Sequence, residues 1–328
     1  MTNRREVITL LGGAAAWPTA AWTQQPAMPV VGLISGGFSE LAGYAVTAFR
    51  QGMNEIGYVE GQNVTVEYRW ARGRFELMPD LVADLLRRGV TVIATPGNTA
   101  GTIAAKAATT TVPIVFAVGA DPVKLGLVAS LARPGGNLTG MNFFNSEITT
   151  KRLGLLREMV PGIARVAVLV NPAVPANAEP QLRDAEAAAR AMGMRIQVIN
   201  ASTSSEINAA FASLGRDRHD ALFVAGDGFF VNRRVQLANL ASHYALPAAY
   251  GDRIIAEAGG LMSYGSDIRD HWHHVGVYVG RILKGAKPTD LPVVQASKFE
   301  LIINAETARM LGLSIPPGLL AIADEVIE

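Results

Sequence analysis

A stretch near the C-terminus gathers several groups able to hold a metal or move a proton: Asp267, Asp270, His271, His273 and His274. On a helix, residues 267, 271 and 274 share one face, and histidine with carboxylate is a reasonable zinc set. The same stretch carries Trp272, Val275, Val279, Ile282 and Leu283 at the spacing of a buried stripe. The acidic and histidine side chains fall mostly opposite that stripe, so a solvated helix face accounts for them and no metal is expected. Other signatures fail at single positions. Gly226-Asp227-Gly228 is the only Gly-x-Gly, and Val231 stands where a dinucleotide fingerprint needs its third glycine. Gly280 and Gly285 have phosphate-loop spacing, but Ala286 occupies the lysine position. There is no Gly-x-Ser-x-Gly elbow. With no cysteine in the chain, thiolate nucleophiles, thiolate metal sites and disulfides are excluded. No catalytic residue and no cofactor is expected.

What remains is a set of polar turns. Ser35-Gly36-Gly37, Thr95-Pro96-Gly97-Asn98-Thr99, Gly119-Ala120-Asp121-Pro122, Asn171-Pro172, Gly226-Asp227-Gly228 and Tyr250-Gly251-Asp252 each follow a short apolar run. In open parallel sheets ligands bind beyond the carboxyl ends of the strands, where such turns lie. Turns of this composition present backbone N–H groups at helix N-termini, which suits a carboxylate. The same residue types also cap helices. Asp121-Pro122 has the form of an N-cap with proline at the first helical position. For Asp227 and Asp252 ligand contact and a local role remain open, as do stacking on a ligand and ordinary packing for Phe229 and Phe230.

The elements that must position these turns alternate regularly. Pro29–Ser35 is an apolar run suited to a strand buried on both faces. A helix follows, with Tyr44, Ala45, Ala48, Phe49, Gly52 and Met53 at helical spacing. The cycle repeats with strands at 63–70, 91–95, 113–118 and 138–144 and helices between them. A second set begins after a helix at 149–159, with strands at 165–170, 195–199, 221–225, 247–250 and 260–264. Strand–helix alternation means parallel sheets covered by helices on both faces. Two such sets predict two doubly wound α/β lobes. The tail, with a helix at 267–283 and a strand at 299–304, is too small for a domain. It is most simply shared between the lobes, so that the chain crosses more than once and makes a hinge.

The chain has 328 residues, 49% hydrophobic and 17% charged, with a net charge of +1. That is a globular composition large enough for two cores. No run of Lys and Arg would track a phosphate backbone, so nucleic acid is not an expected partner. Arg4 and Arg5, an apolar run from Val7 to Ala16, then Pro18, Thr19, Ala20 and Ala21 describe a secretory signal peptide over residues 1–25. A run of about ten residues is too short to span a membrane. The paired arginines also permit twin-arginine export.

Several longer segments are more specific: RREVITLLGGAAAWP, FRQGMNEIGYVEGQNVTVEYRWARG, AAKAATTTVPIVFAVGADPVKLGLVASLARPGGNLTG, GGLMSYG, VGRILKGAKPTDLPV and KFELIINAETARMLGLSIPPGLLAIADEVIE. Over nearly its whole length the chain resembles the ABC transporter substrate-binding family that includes tryptophan-binding and other aromatic-amino-acid-binding members. The resemblance implies the type I periplasmic binding fold, with a solute held between two Rossmann-like lobes. Lobe 1 would comprise residues 28–145 plus about 265–295, and lobe 2 residues 146–264 plus about 296–328. It also implies a pocket drawn from Thr95, Pro96, Thr99 and Asp121 in one lobe and Asn171, Asn177, Asp227 and Asp252 in the other. Ser35, Phe229 and Tyr250 join them from the strand-end reading. Two departures stand out. Gly251 occupies a position where aromatic-amino-acid binders usually carry a polar residue, and Gly228-Phe229-Phe230 is bulkier than in those binders. The expected function is a periplasmic receptor that captures a small carboxylate-bearing solute, an aromatic or apolar amino acid, for an ABC permease and its ATPase. A two-lobed enzyme of the glycosyl-transfer kind is the alternative, and the missing nucleotide fingerprint counts against it.

Overall fold

A computed structural model of the chain describes residues 28–143, 148–217 and 219–328. The expected signal peptide lies outside the described residues. The first strands are β1 (Val30–Ser35), β2 (Thr65–Trp70), β3 (Val92–Thr95), β4 (Ile114–Val118) and β5 (Leu138–Asn142). Next come β6 (Arg165–Val170), β7 (Arg195–Asn200), β8 (Ala221–Val224), β9 (Ala248–Tyr250) and β10 (Met262–Gly265). The last are β11 (Val294–Gln295), β12 (Glu300–Asn304) and β13 (Glu325–Ile327). Between them lie α1 (Gly43–Glu55), α2 (Met78–Arg87), α3 (Thr99–Ala108), α4 (Thr149–Met159), α5 (Pro175–Ala191) and α6 (Ser204–Asp217). The remaining helices are α7 (Gly228–Val231), α8 (Arg234–His243), α9 (Arg253–Glu257), α10 (Ile268–Leu283), α11 (Ala305–Met310) and α12 (Pro317–Ile322).

Two sheets result. One runs β2-β1-β3-β4-β5-β11 and is parallel throughout; the other runs β7-β6-β8-β9-β10-β12-β13, with β12 antiparallel to β10. Each central strand is an apolar run because helices cover both of its faces. Val31, Leu33, Val115 and Ala117 face the α1 and α10 side, whereas Ile34, Ile93, Ile114 and Phe116 face the α2 and α3 side. In both sheets the order reverses beside the first strand, between β1 and β3 and between β6 and β8. The crevice of an open sheet lies at that switch point.

The chain passes between the sheets after β5, after β10 and after β11. The middle crossing delivers α10 to the first lobe, against α1. Glycine makes the approach close: a Cβ on Gly276 would stand 2.1 Å from the Phe49 carbonyl oxygen, and one on Gly52 2.1 Å from that of His273. Any side chain at either position would force the helices apart. This packing corrects the reading of α10 as a helix with one solvated face. The correction concerns His271, which is one turn before Val275 on the covered face and only 4% exposed; His273 and His274 are half-buried, and Asp270 and Arg281 on the far side are exposed. Short elements escaped the periodicity: β11, β13, α7 and α9 are two to five residues long. Among the described residues, no helix is long and apolar enough to cross a membrane.

Candidate functional site

The strand-end turns of the two lobes face each other across a cleft with two joined compartments. The two are of similar size, about 600 and 580 Å³ when the part open to solvent is counted. Gly97, Asn177, Asp227, Gly228, Val231 and Ile268 border both. The lobes touch directly across it, where Thr99 Oγ1 donates to Asn177 Oδ1 at 3.0 Å.

The second compartment is built mainly by lobe 1 and contains Ser35, Pro96, Asn98, Thr99 and Trp272. Its centre is the turn from β3 into α3. Asn98 caps the helix by accepting from Gly101 N at 2.9 Å, and its Nδ2 donates to the Ile34 carbonyl at 3.3 Å. Gly97 turns the chain with φ of +65°, a left-handed conformation open to glycine at little cost. Ser35 Oγ accepts from Gly37 N at 3.2 Å.

The first compartment belongs mainly to lobe 2 and is more apolar, with Phe143, Val224, Phe230 and Ile255 on its walls and Asp227, Asp252, Ser266 and His271 as polar groups. Asp227 and Asp252 both cap helices and both face the cleft, so the two readings of these residues combine. Asp227 is fully engaged: Oδ1 accepts from Phe229 N (2.8 Å) and Asn171 Nδ2 (3.1 Å), and Oδ2 from Asn177 Nδ2 (3.5 Å). Burial nonetheless raises its pKa, opposed by those hydrogen bonds and by Arg233. Gln181 fixes the turn by gripping Gly226 N and O at 2.6 and 3.0 Å.

Asp252 is different. Its Oδ1 accepts from Ile254 N at 3.2 Å, and its Oδ2 accepts nothing from the described residues. Burial lifts its pKa to about 7, with the charges of Asp267 and Glu257 adding to the rise. Neighbouring Arg253 does not neutralise it, because that side chain pairs with Glu257, Glu300 and Glu325. Behind Gly251 lies Arg152, wholly buried, with Nε donating to the Tyr264 carbonyl at 2.8 Å and no hydrogen-bond partner among the described residues for either terminal nitrogen. A Cβ on Gly251 would sit 3.1 Å from both terminal nitrogens. The guanidinium thus takes the room that a side chain at position 251 would need. Burial holds its pKa down to about 10, with Asp252 and Tyr264 acting in the opposite direction.

His271 is neutral: burial lowers its pKa to about 3, against the pull of Asp267. Its Nε2 lies 2.8 Å from Ser266 Oγ, and its ring stacks on Phe143 with centroids 4.2 Å apart. Asp267 caps α10 by accepting from Arg269 N at 2.8 Å, and His273 Nε2 meets Glu55 at 3.0 Å. These partners separate the histidines and carboxylates, and no metal-holding group of three or more forms among the described residues.

Of the residues singled out in the sequence, the cleft brings together Ser35, Pro96, Thr99, Asn177, Asp227 and Asp252. Five lie elsewhere. Thr95 is fully buried and its hydroxyl donates to Thr102 Oγ1 at 2.8 Å, because Thr102 gives its own proton to the Asn98 carbonyl. Asn171 stands behind Asp227 as a support. Asp121 caps its own turn, accepting from Val123 N and Lys124 N, and lines an outer groove with Glu179 and Arg183. Phe229 packs in the core beneath Arg233, whereas Phe230, in the same core, also borders the cleft. Tyr250 belongs to the same core. Sequence reasoning missed Phe143, Ser266, Ile268, His271 and Trp272, all on or beside the interlobe crossings. The available signal was α10 itself, a helix that carries His271 one turn before Val275 and Trp272 within its apolar stripe.

The fold and cleft define a two-lobed solute-binding protein. Residues 41–327 match the family model described as ABC transporter substrate binding protein, and the chain belongs to that family. A relative named tyrosine-binding protein from Clostridioides difficile (strain R20291) is 26% identical over 272 residues, covering 82% of this chain and 76% of that one. Among solved structures, an ABC domain in complex with L-Trp from Streptococcus pneumonia is 23% identical, covers 91% of this chain and 99% of its own, and has a TM-score of 0.82. The ligand-free, open structure of a substrate binding protein with adhesive properties from Clostridium difficile has the same identity and coverage and a TM-score of 0.63.

Proposed function

We propose that this chain is the extracytoplasmic receptor of an ABC importer, that its lobes close over an amino acid with an aromatic or apolar side chain, and that Asp252 binds the ammonium group. The observation that carries the reading is Asp252 itself: a buried carboxylate on the cleft wall, without an ion-pair partner among the described residues and with one oxygen free. Leaving a charge so placed without a partner is costly, and an ammonium from the solute would supply one. The apolar walls beside it suit a hydrocarbon or aromatic side chain. Names given to relatives, which mention tyrosine and L-Trp, support the same class. The greater likeness to the L-Trp complex than to the open structure, together with the Thr99–Asn177 bond, supports lobes drawn together as they would be around a solute. The permease and its ATPase are the partners of such a receptor. Residues 1–25 would direct export to the periplasm and be removed.

A thermal-shift screen followed by calorimetry tests the ligand class. Saturating the protein at about a hundred times Kd should stabilise it by about 2.7 kcal/mol. L-tyrosine, L-tryptophan or L-phenylalanine should produce that shift. A shift with amine-free carboxylates and none with any amino acid would overturn the ammonium reading. Mass spectrometry of protein from the native host should find an N-terminus between residues 22 and 27; retained Met1 would overturn export.

A further inference from the structure

Arg152 is a wholly buried cation with little to hold its charge. It stands on α4, whose Leu153, Leu155, Leu156 and Met159 fill the lobe-2 core. Its guanidinium lies 5.3 Å from the Phe223 ring centroid, and its Nε donates to the Tyr264 carbonyl. The terminal nitrogens carry the remaining N–H groups and find no acceptor among the described residues. A charge buried in this way is costly unless another charge compensates it. Burial opposes the charge of Arg152, and the Asp252 carboxylate is the first influence in its favour. A single glycine stands between the two. A Cβ on Gly251 would sit 3.1 Å from both terminal nitrogens, and Gly251 and Asp252 line the lobe-2 compartment side by side. The other charged or titratable groups around Asp252 are engaged elsewhere. On α9, Arg253 pairs with Glu257, Glu300 and Glu325. At the start of α10, Arg269 pairs with Asp267. From α1, Tyr44 faces Asp252 with its hydroxyl kept neutral by burial, and Arg234 of α8 lies 5.9 Å from the Tyr44 ring centroid. Arg152 is the wholly buried cation of this set.

We propose that Arg152 is a positioning residue for the solute's ammonium: from behind Gly251 its guanidinium supplies the buried positive charge that holds the Asp252 carboxylate ionised and ready for that ammonium. This rests on the receptor reading above and adds the group that controls the charge of its anchor. Coulomb attraction is mutual, so a carboxylate that favours a charged Arg152 is itself favoured in its charged form. Neither group is exposed enough for water to screen the pair fully. No hydrogen bond ties them, so Asp252 Oδ2 stays open to the solute. A direct ion pair would occupy that oxygen; the glycine spacer delivers the field without the contact. Burial still raises the Asp252 pKa to about 7, and without Arg152 it would rise further.

The first measurement needs no solute. The Asp252 carboxyl carbon, assigned by its loss in Asp252→Asn, is titrated by ¹³C NMR in the parent and in Arg152→Met. That variant removes the charge, keeps an unbranched chain and leaves no orphaned donor. Its Asp252 midpoint should lie about one pH unit or more above that of the parent. Should Arg152→Met not fold, Arg152→Gln, neutral and polar, carries the same expectation. Calorimetry with L-tyrosine should follow the titration. For a shift of about one unit the variant should bind about fivefold more weakly at pH 7 and about tenfold at pH 6. At about pH 8.5, where both carboxyls are mostly ionised, the two should agree within about twofold. A merely structural loss would weaken binding equally at every pH. The proposal is overturned if the midpoint moves by less than about 0.3 unit, or if the affinity ratio is the same across that pH range. A shifted midpoint in a protein whose parent binds no L-tyrosine would overturn the amino-acid reading and leave the control of Asp252 by Arg152 standing.

Discussion

Asp121 and Asp252 occupy equivalent places in two similar sheets, each just after the fourth strand of its set, and their environments are opposite. Asp121 caps a turn at the surface, with a side chain 35% exposed and Lys124 at 3.7 Å. Asp252 caps a short helix inside the cleft, without an ion-pair partner among the described residues, and burial raises its pKa against the longer-range pull of Arg269. A similar contrast divides the third strands. After β3 the helix cap is Asn98, neutral and spent on local bonds; after β8 it is Asp227, a carboxylate. One topology therefore yields a donor-rich wall on lobe 1 and an acidic wall on lobe 2. The fold supplies the crevice, and the residue type at each cap sets which charge it receives.

The largest expected effect comes from removing the acidic side of this comparison. Leaving one member of a buried ion pair alone costs about 3–5 kcal/mol, more than a hundredfold in affinity. Asp252→Asn should lose L-tyrosine by that factor in calorimetry, whereas Asp121→Asn should bind within twofold of the parent. Stability should move the other way. The Asp252 carboxyl titrates at about 7 in the fold against 3.8 unfolded, so the folded state holds that proton longer as pH rises. The fold is therefore penalised progressively from about pH 4 to 7 and fully above 7. Asn carries no such penalty, and the variant should melt higher than the parent at pH 8 by about 3 °C or more. A variant that binds normally would break the comparison outright.

The same titration makes binding depend on pH. An ammonium needs the ionised carboxylate, which without solute is half populated at about pH 7. Below that, affinity should fall about tenfold per unit, since a proton must leave before the solute can pair. Above pH 8 the Asp252 contribution should be flat. Calorimetry at pH 7 in buffers of different ionisation enthalpy should detect a proton released on binding. An affinity constant from pH 5.5 to 8 would exclude Asp252 as the partner.

The strand-end turns were legible because they are bounded by unmistakable apolar runs such as Val-Val-Gly-Leu-Ile and Val-Ala-Val-Leu-Val. Topology then brings the turns to one crevice. What periodicity does not carry is the identity of the inward side chain within a turn. Phe229 and Phe230 are adjacent and chemically identical and both pack in the lobe-2 core, yet only Phe230 also borders the cleft. Helix α10 was misread for a related reason. An apolar stripe implies packing against the core, but its edge can also border a binding cleft that polar residues line. Trp272 belongs to the stripe and His271 lies one turn before Val275, both at that edge, where burial and polarity coincide and hydrophobic patterning is blind.

The two histidines test this cleft edge of α10 at a smaller magnitude. His271 borders the cleft and braces Phe143, so His271→Ala should open a void there and weaken L-tyrosine by about tenfold, from about 1–2 kcal/mol of lost packing. His274 borders neither compartment and leans on Tyr278 with ring centroids 5.0 Å apart. His274→Ala should leave affinity unchanged. Equal effects from both variants would mean that α10 acts as a whole helix, and the distinction between its faces would fail.

The smallest effect should come from a contact that touches no solute. Arg233 is anchored in lobe 2: Nε donates to Ser204 Oγ at 2.9 Å, Nη1 to the Phe229 carbonyl at 3.3 Å, and the guanidinium lies 3.8 Å from the Phe229 ring centroid. Across the cleft edge it also approaches the Phe38 ring of lobe 1, at 5.7 Å. Phe38 borders neither compartment, so its only route to the solute is through the relation of the lobes. A cation–π contact at a partly exposed site contributes about 0.5–1 kcal/mol. If it forms only when the lobes meet, its loss lowers the population of that state, and apparent affinity falls in proportion. Phe38→Ala should therefore weaken L-tyrosine by about two- to fivefold. Stopped-flow fluorescence should assign the change to faster release, with association nearly unchanged, because the contact forms after the solute has entered. A loss above twentyfold would place Phe38 against the solute itself. An unchanged release rate would mean that the lobes hold together without this contact, and that the Thr99–Asn177 bond at the cleft centre is the junction to examine next.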